Sequence, residues 1–448
     1  MFKAIDKWLP GYLRSVFSRP RKAKGPRHLI VALCDHFEPF RDGVDAVTAR
    51  QTVRDWLAAY PDSVDTFRDA DGHPPRHTFF YPQEEYDEAI LDDLTAFCRK
   101  GYGEVEIHLH HRHDTPEGFL AKLESFRDLL HEKHGLLGEE ITDPCEAPVA
   151  ADVSAAAGRQ ERECVRRDVE RHLGETAADE PRSNVSFRTR YAFIHGNWAL
   201  CNARPDGDWC GVNEELGILA ATGCYADFTF PSAPSPTQPR MVNAIYYARD
   251  FQGRPRGADR GVRVQTKGPR PQATDPQVAA DVPAAAGRIT GECVRRDVER
   301  HHGEKIQGIF SSLLLITGPL ALNWCRRKWG ILPRLENAEI SGANPPTADR
   351  IRLWARQQIQ VEGRPDWTFV KLHTHGCMPA NQAVLLGAAM REAHAFLQKE
   401  FNDGQNWQLH YVTAREMANL VKAAEANLPG SPGQYRDYRV GPPSFRSR

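Results

Sequence analysis

The chain has 448 residues, enough to bury a sizeable core in one large domain or two. Apolar residues at 41% and charged residues at 26% are ordinary for a globular protein, and a net charge of −1 supplies no global field to gather nucleic acid. Ten cysteines are scattered without CxxC pairs, which argues against a disulfide framework and suggests reduced thiols in a cytoplasm.

Residues 1–27 form a basic N-terminal arm with eight Lys or Arg and one acid. Phe2, Ile5, Trp8, Leu9, Leu13, Val16 and Phe17 are interleaved with the charges. The arm lacks the apolar core and small-residue cleavage site of a signal peptide. It is suited to peripheral contact with an anionic membrane surface, or to stay disordered or cap the domain as a helix.

From residue 28, strands and helices alternate. Periodicity predicts strand 28–34, helix 46–60, strand 76–81, helix 84–99, strand 104–110 and helix 116–134. Strand 189–195, helix 212–221 and strand 225–230 follow. A strand near 311–317, helix 347–361, strand 367–373, helix 380–400 and strand 407–412 complete the series. The most apolar run, Ile309 to Trp324, is too short for a membrane span and contains Gly318-Pro319. Alternation of this kind implies an α/β fold with a parallel sheet covered on both faces. The tail 428–448, rich in Pro, Gly, Ser and Arg, is expected to be disordered.

Residues 149–175 and 278–304 are near-copies, identical at 22 of 27 positions at an offset of 129. Two copies so far apart do not make a solenoid. They read as one element inserted twice, within insertions at about 140–186 and 265–306, and tolerated because long surface loops cost little closure entropy. A paired docking module is the alternative. Cys164, His172, Cys293 and His301 recur with the copies and therefore carry no metal argument.

The chemistry-bearing stretch is Gly103-Glu-Val-Glu-Ile-His-Leu-His-His-Arg-His-Asp114, with four histidines and an aspartate directly after a strand-like run. Imidazole and carboxylate are the usual ligands of a borderline divalent metal such as zinc. Side chains alternate along a strand, so His108 and His110 project to one side and His111 and His113 to the other. A solvated polar strand end is the plainer reading, but four histidines exceed what such an end needs. Cys201, Cys210 and Cys224 lie fairly close together, but their spacing fits no zinc ribbon.

The order His77-Thr-Phe-Phe-Tyr-Pro82, helix, Gly103-Glu-Val-Glu-Ile-His-Leu-His110 resembles the NodB-like polysaccharide deacetylases, the carbohydrate esterases of family four. The resemblance implies a distorted (β/α) barrel over 28–427, with sites at the C-terminal ends of strands. It puts His110 at the first metal-ligand histidine of the family and Asp114 where a second histidine stands. Asp35 and His36, after strand 28–34, fall on the catalytic base and a further metal ligand. The implied metal set is thus His36, His110 and Asp114, with Glu38 as a neighbouring partner. The stretch Trp367 to Gly376 resembles the family's last motif and makes His373 the general acid, with His375 as fallback. His195, Asn197 and Trp198 replace the family's groove wall and, with His375, are expected to bind substrate. Trp198, Trp209 and Tyr225 are candidates for stacking on sugar rings.

The expected activity is a metal-dependent hydrolase, with zinc the favoured metal, that removes acetyl groups from an acetylated sugar or polysaccharide precursor in the cytoplasm or at the membrane periphery. Two alternatives stand beside it. One is another amide or ester hydrolase on the same barrel. The other is a non-catalytic glycan-binding homologue.

Overall fold

The computed structural model describes residues 4–19, 25–141, 189–268 and 312–445. Both repeat copies, 149–175 and 278–304, lie outside these residues, and so does nearly all of each expected insertion. The chain leaves and re-enters at one place beside the first of them. Glu139 of β4 (Gly138–Glu139) pairs directly with Thr189 of β5 (Thr189–His195).

The main sheet is built around β1 (Arg27–His36), a nearly all-buried strand reading Leu-Ile-Val-Ala-Leu-Cys from 29 to 34. Such a run, apolar on both faces, is what a covered parallel strand requires. Leu29, Val31 and Leu33 pack on one face with Ile351, Trp354, Leu397 and Phe401. Ile30, Ala32 and Cys34 meet Phe80, Ile194, Phe228, Ile316 and Phe369 on the other.

β2 (His77–Pro82), β3 (Gly103–Leu109) and β5 follow in parallel order, and β6 (Cys224–Asp227) continues the sheet. β7 (Ile245–Ala248), β8 (Gly261–Arg263) and β9 (Leu313–Ile316) close one end. β6 pairs with β9 in parallel, and β7 lies antiparallel between β9 and β8. A hairpin, β10 (Ala321–Lys328) and β11 (Leu332–Glu336), stands apart from this sheet. β12 (Trp367–Thr374) flanks β1 at the other end. β13 (Trp407–Val412) pairs with the first half of β1, and β2 takes over with the second half.

Backbone bonds also link the two ends of this order. Glu362 N–H donates to Val264 O, Thr266 N–H to Glu362 O and Phe369 N–H to Ile359 O. The fold is therefore mixed α/β with a large, mostly parallel sheet.

The helices start where capping chemistry dictates. Asp45 caps α2 (Ala46–Val64), Asp87 caps α3 (Glu88–Arg99), and Thr115 with Pro116 opens α4 (Pro116–Glu132). α5 (Glu215–Ala221) and α6 (Ala348–Arg356) are shorter than the patterns 212–221 and 347–361 suggest. The expected helix 380–400 is two, α7 (Pro379–Leu385) and α8 (Ala388–Phe401). They part at Gly387, where a Cβ would meet Ala383 O at 2.2 Å. α9 (Ala414–Glu425), which the sequence reading passed over, carries a reciprocal cap between Thr413 and Glu416.

Two terminal expectations change. The arm contains α1 (Ile5–Phe17), which seats Trp8 among Ala233, Val242 and Leu320. Leu13 and Phe17 remain exposed. The tail is ordered from 428 to 445 in spite of its composition. Arg436 donates to Tyr411 O, Asp69 and Asp71, and Val440 is buried. Those buried ion pairs supply what the tail's few apolar side chains do not. Among the described residues no helix is long and apolar enough to cross a membrane.

Candidate metal centre

Parallel pairing brings the C-terminal ends of β1, β3 and β12 to one rim. His36 ends β1, His108 lies near the end of β3, and β12 pairs with β1 so that Cys34 faces His373 and Asp35 faces Thr374. The chain beyond β12 then lays the His375 ring on His36, with centroids 4.7 Å apart.

Here the imidazoles converge on Glu38. His108 Nε2 lies 3.2 Å and His110 Nε2 3.6 Å from Glu38 Oε1. The far nitrogens fix the tautomers: His108 Nδ1 donates to Ile194 O at 2.8 Å and His110 Nδ1 to Glu84 Oε1 at 2.5 Å. Each Nε2 then faces Glu38, where it would bind a cation or, without one, donate a proton to the carboxylate. His36 Nε2 is buried without a hydrogen-bond partner. Candidate ligand atoms of His36, Glu38 and His108 lie within 4.8 Å of one another. An orphaned imidazole beside a carboxylate and two oriented histidines fits a divalent cation by donor chemistry.

The carboxylates and imidazoles of the cluster shift one another. Burial would raise the Glu38 carboxyl, but the His108 hydrogen bond and the surrounding imidazoles outweigh it and hold it at about 2. Burial keeps His36 well below the ordinary histidine value, and it lowers His375 as well. Burial would also lower His110, yet the bond to Glu84 and the nearby carboxylates raise it. Burial pushes Glu85, beside the cleft, up to about 7.

The cluster opens into a cleft of about 450 Å³ lined by His36, Glu38, His110, His375, Arg41 and Glu85 together with Asn197, Trp198 and Trp209. Arg41 Nη1 holds the other Glu38 oxygen at 2.7 Å. Asn197 and Trp198 sit at positive φ, 53° each, on the turn after β5. Gly196 packs flat on His110, so close that a Cβ would stand 2.1 Å from its Cδ2. Of the expected stacking residues, Trp198 and Trp209 are in this wall, whereas Tyr225 bonds to the buried Glu106.

Five expected site residues thus meet in one cleft: His36, His110, Asn197, Trp198 and His375. Four do not. Asp114 is held by Lys122 Nζ at 2.6 Å and lies 3.2 Å from His111 Nδ1. The helix begins only at Pro116, after both His110 and Asp114, so their spacing of four does not place them on one helical face. His195 is buried beside His111 and Glu215. Asp35 is fully buried, with one oxygen accepting from Gly376 N–H at 2.6 Å and the other 2.8 Å from His77 Nε2. His373 is buried behind the cleft, its Nδ1 unpaired and its ring 6.5 Å from that of His36.

Sequence reasoning missed His108 as a ligand and gave Glu38 only a supporting place. Strand alternation already grouped His108 with His110. Glu84 and Glu85 gave no signal, because they sit on a short 3₁₀ turn that reads as the first turn of α3. No protein-family model and no curated protein matches this chain.

Proposed function

We propose that the protein is a metal-dependent hydrolase that deacetylates an acetylated saccharide. The observation that carries this reading is the convergence of His36, His108, His110 and Glu38 at the rim of an open cleft. Catalytic metal sites pair about three protein ligands with an open position, and of the three residues whose ligand atoms lie within 4.8 Å of one another, His36 and Glu38 line the cleft. The bound metal would activate a water and polarise an acyl oxygen.

The side chains do the rest. Trp198 and Trp209 offer faces for a sugar ring, and Asn197 and Arg41 offer donors to its hydroxyl and carbonyl oxygens. His375, kept neutral by burial, is placed to take a proton at the cleft and return it to the leaving amine or alkoxide. Asp35 acts as a positioning residue, because it anchors the Gly376 turn next to His375. The distorted (β/α) barrel implied by the NodB-like resemblance is supported by the backbone bonds that join 264–266 to 359–362 and 359 to β12.

Metal-replete protein should release acetate from N- or O-acetylated saccharides. His108→Ala and Glu38→Ala should each lower metal content and turnover together. Full metal content in both variants would remove the ligand assignment. Metal-replete wild type that releases no acetate from any acetylated saccharide, yet cleaves activated aryl acetates, would shift the reading to another amide or ester hydrolase.

A further inference from the structure

The histidines on the opposite side of the β3 terminus build a second cluster. His111, His195, Cys210 and Glu215 carry ligand atoms within 4.8 Å of one another, and none is more than 4% exposed. His111 Nε2 lies 2.8 Å from His195 Nε2 and 2.8 Å from Glu215 Oε1, which is 3.2 Å from His195 Nε2. Three potential acceptors therefore point at one spot.

Their outer partners leave few protons for that spot. His195 Nδ1 donates to Gly196 O at 2.5 Å, so its Nε2 is a lone pair. His111 Nδ1 lies 3.2 Å from Asp114 Oδ2, within ion-pair reach but out of line for a full hydrogen bond. Glu215 Oε2 is occupied by Cys201 N–H, which turns Oε1 toward the imidazoles. Even if His111 keeps a proton on Nε2, that single proton cannot serve both His195 Nε2 and Glu215 Oε1. Buried acceptors facing one another without a donor are costly, and a cation between them removes the cost. Cys210 Sγ stands beside the cluster and accepts from Asn202 N–H at 3.3 Å and Val212 N–H at 3.4 Å, with Val212 O also 3.3 Å away. Val212 O is placed to take the S–H proton of the metal-free thiol, and a bound cation would displace that proton.

We propose that His111, His195, Cys210 and Glu215 form a closed, four-ligand zinc site distinct from the cleft. The donor set, two imidazoles with a thiolate and a carboxylate, is that of tetrahedral zinc, whose bonds of about 2.0–2.3 Å put ligand atoms roughly 3.3–3.6 Å apart. The two Nε2 atoms need to part by only about half an ångström to meet that spacing. Full burial leaves no open position for water, so the site is structural where the cleft is catalytic.

What it holds is the 196–213 loop. Asn197, Trp198, Cys201, Asn202 and Trp209 take left-handed backbone there, as does Gly211, on which a Cβ would stand 2.6 Å from Asp114 O. That strain is sustained only where surrounding contacts over-determine it. Through Asn197, Trp198 and Trp209, the same loop supplies one wall of the cleft.

The test is the full-length protein produced in zinc-poor, cobalt-supplemented medium. A cysteine thiolate on cobalt gives a near-ultraviolet charge-transfer band, whereas the cleft ligands contain no sulfur. The expected result is two metals per chain and a thiolate band that Cys210→Ala abolishes. The band should persist in Cys201→Ala and in the cleft variant His108→Ala. Cys210→Ala should also weaken the buried site by more than about tenfold in a chelator titration, since loss of even an outer partner costs that much. One metal per chain and no thiolate band would overturn the proposal while leaving the cleft reading in place. A band that survives Cys210→Ala overturns it equally.

Discussion

Asp35 shows how one residue can match a motif and still serve another purpose. Its carboxylate lies at the expected strand end, yet both oxygens are engaged, by Gly376 N–H and by His77. A Cβ on Gly376 would stand 2.0 Å from Asp35 Oδ2, so the glycine is required by close approach. Asp35→Ala leaves two buried donors unpaired, at about 1–3 kcal/mol each. Denaturant titration should show that loss. Asp35→Asn should keep the fold, because His77, whose Nδ1 has no partner, can change tautomer and accept from the amide. Its turnover should fall by less than the roughly 10²–10⁴-fold that removing a general base costs. A larger loss of turnover with unchanged stability would return Asp35 to the role of base.

At the scale of elements, β3 organises the site because its two faces differ. Val105, Ile107 and Leu109 join the apolar cluster with Leu94, Phe97, Phe119 and Phe126. Glu104, Glu106 and His108 lie on the other face, where each finds a specific partner. Glu104 takes Arg415 through two nitrogens, the shorter bond at 2.8 Å, and the Thr413 hydroxyl at 2.8 Å, so it ties β3 to the start of α9. Breaking a buried pair by removing one partner costs about 3–5 kcal/mol, since the other charge stays buried. Glu104→Ala is therefore expected to lower unfolding free energy by that amount in a urea titration. A change below about 1 kcal/mol would mean that Asp437, already 2.6 Å from Arg415, compensates in full.

At the scale of the whole molecule, the C-terminal tail is clamped to the sheet by charge. Arg436 reaches Asp69, Asp71 and Glu416, and Glu416 also takes Arg76. Burial would raise the Glu416 carboxyl, but Arg76 and Arg436 hold it well below the ordinary glutamate range. A carboxyl lowered in the folded state binds its proton less readily than in the unfolded chain. Its contribution is complete above the unfolded value of about 4.3 and is lost as pH falls below it. Thermal stability should therefore drop steeply below about pH 4. Glu416→Gln should be less stable near neutrality and should show a shallower acid slope. An unchanged slope would place the acid sensitivity elsewhere.

Period-two alternation at 104–111 is a local property, so the division of the histidines into two sides was readable before any fold was known. The covered strand 28–34 and the alternation of strands with helices were readable for the same reason. The partners were not. His36 meets His108 and His375 only because β12 and β2 flank β1 in parallel register, and the β12 pairing joins residues hundreds of positions apart. Glu38, Glu85 and Glu215 are solvent-type residues in composition, and only long-range packing makes them buried or cleft-lining. Cys210 was grouped in sequence with Cys201 and Cys224, whereas its partners here are His111 after β3, His195 of β5 and Glu215 of α5. The tail was misjudged likewise, since its order rests on ion pairs of the buried Arg436 with Asp69, Asp71 and Glu416. Those tertiary contacts have no periodicity for a sequence to display.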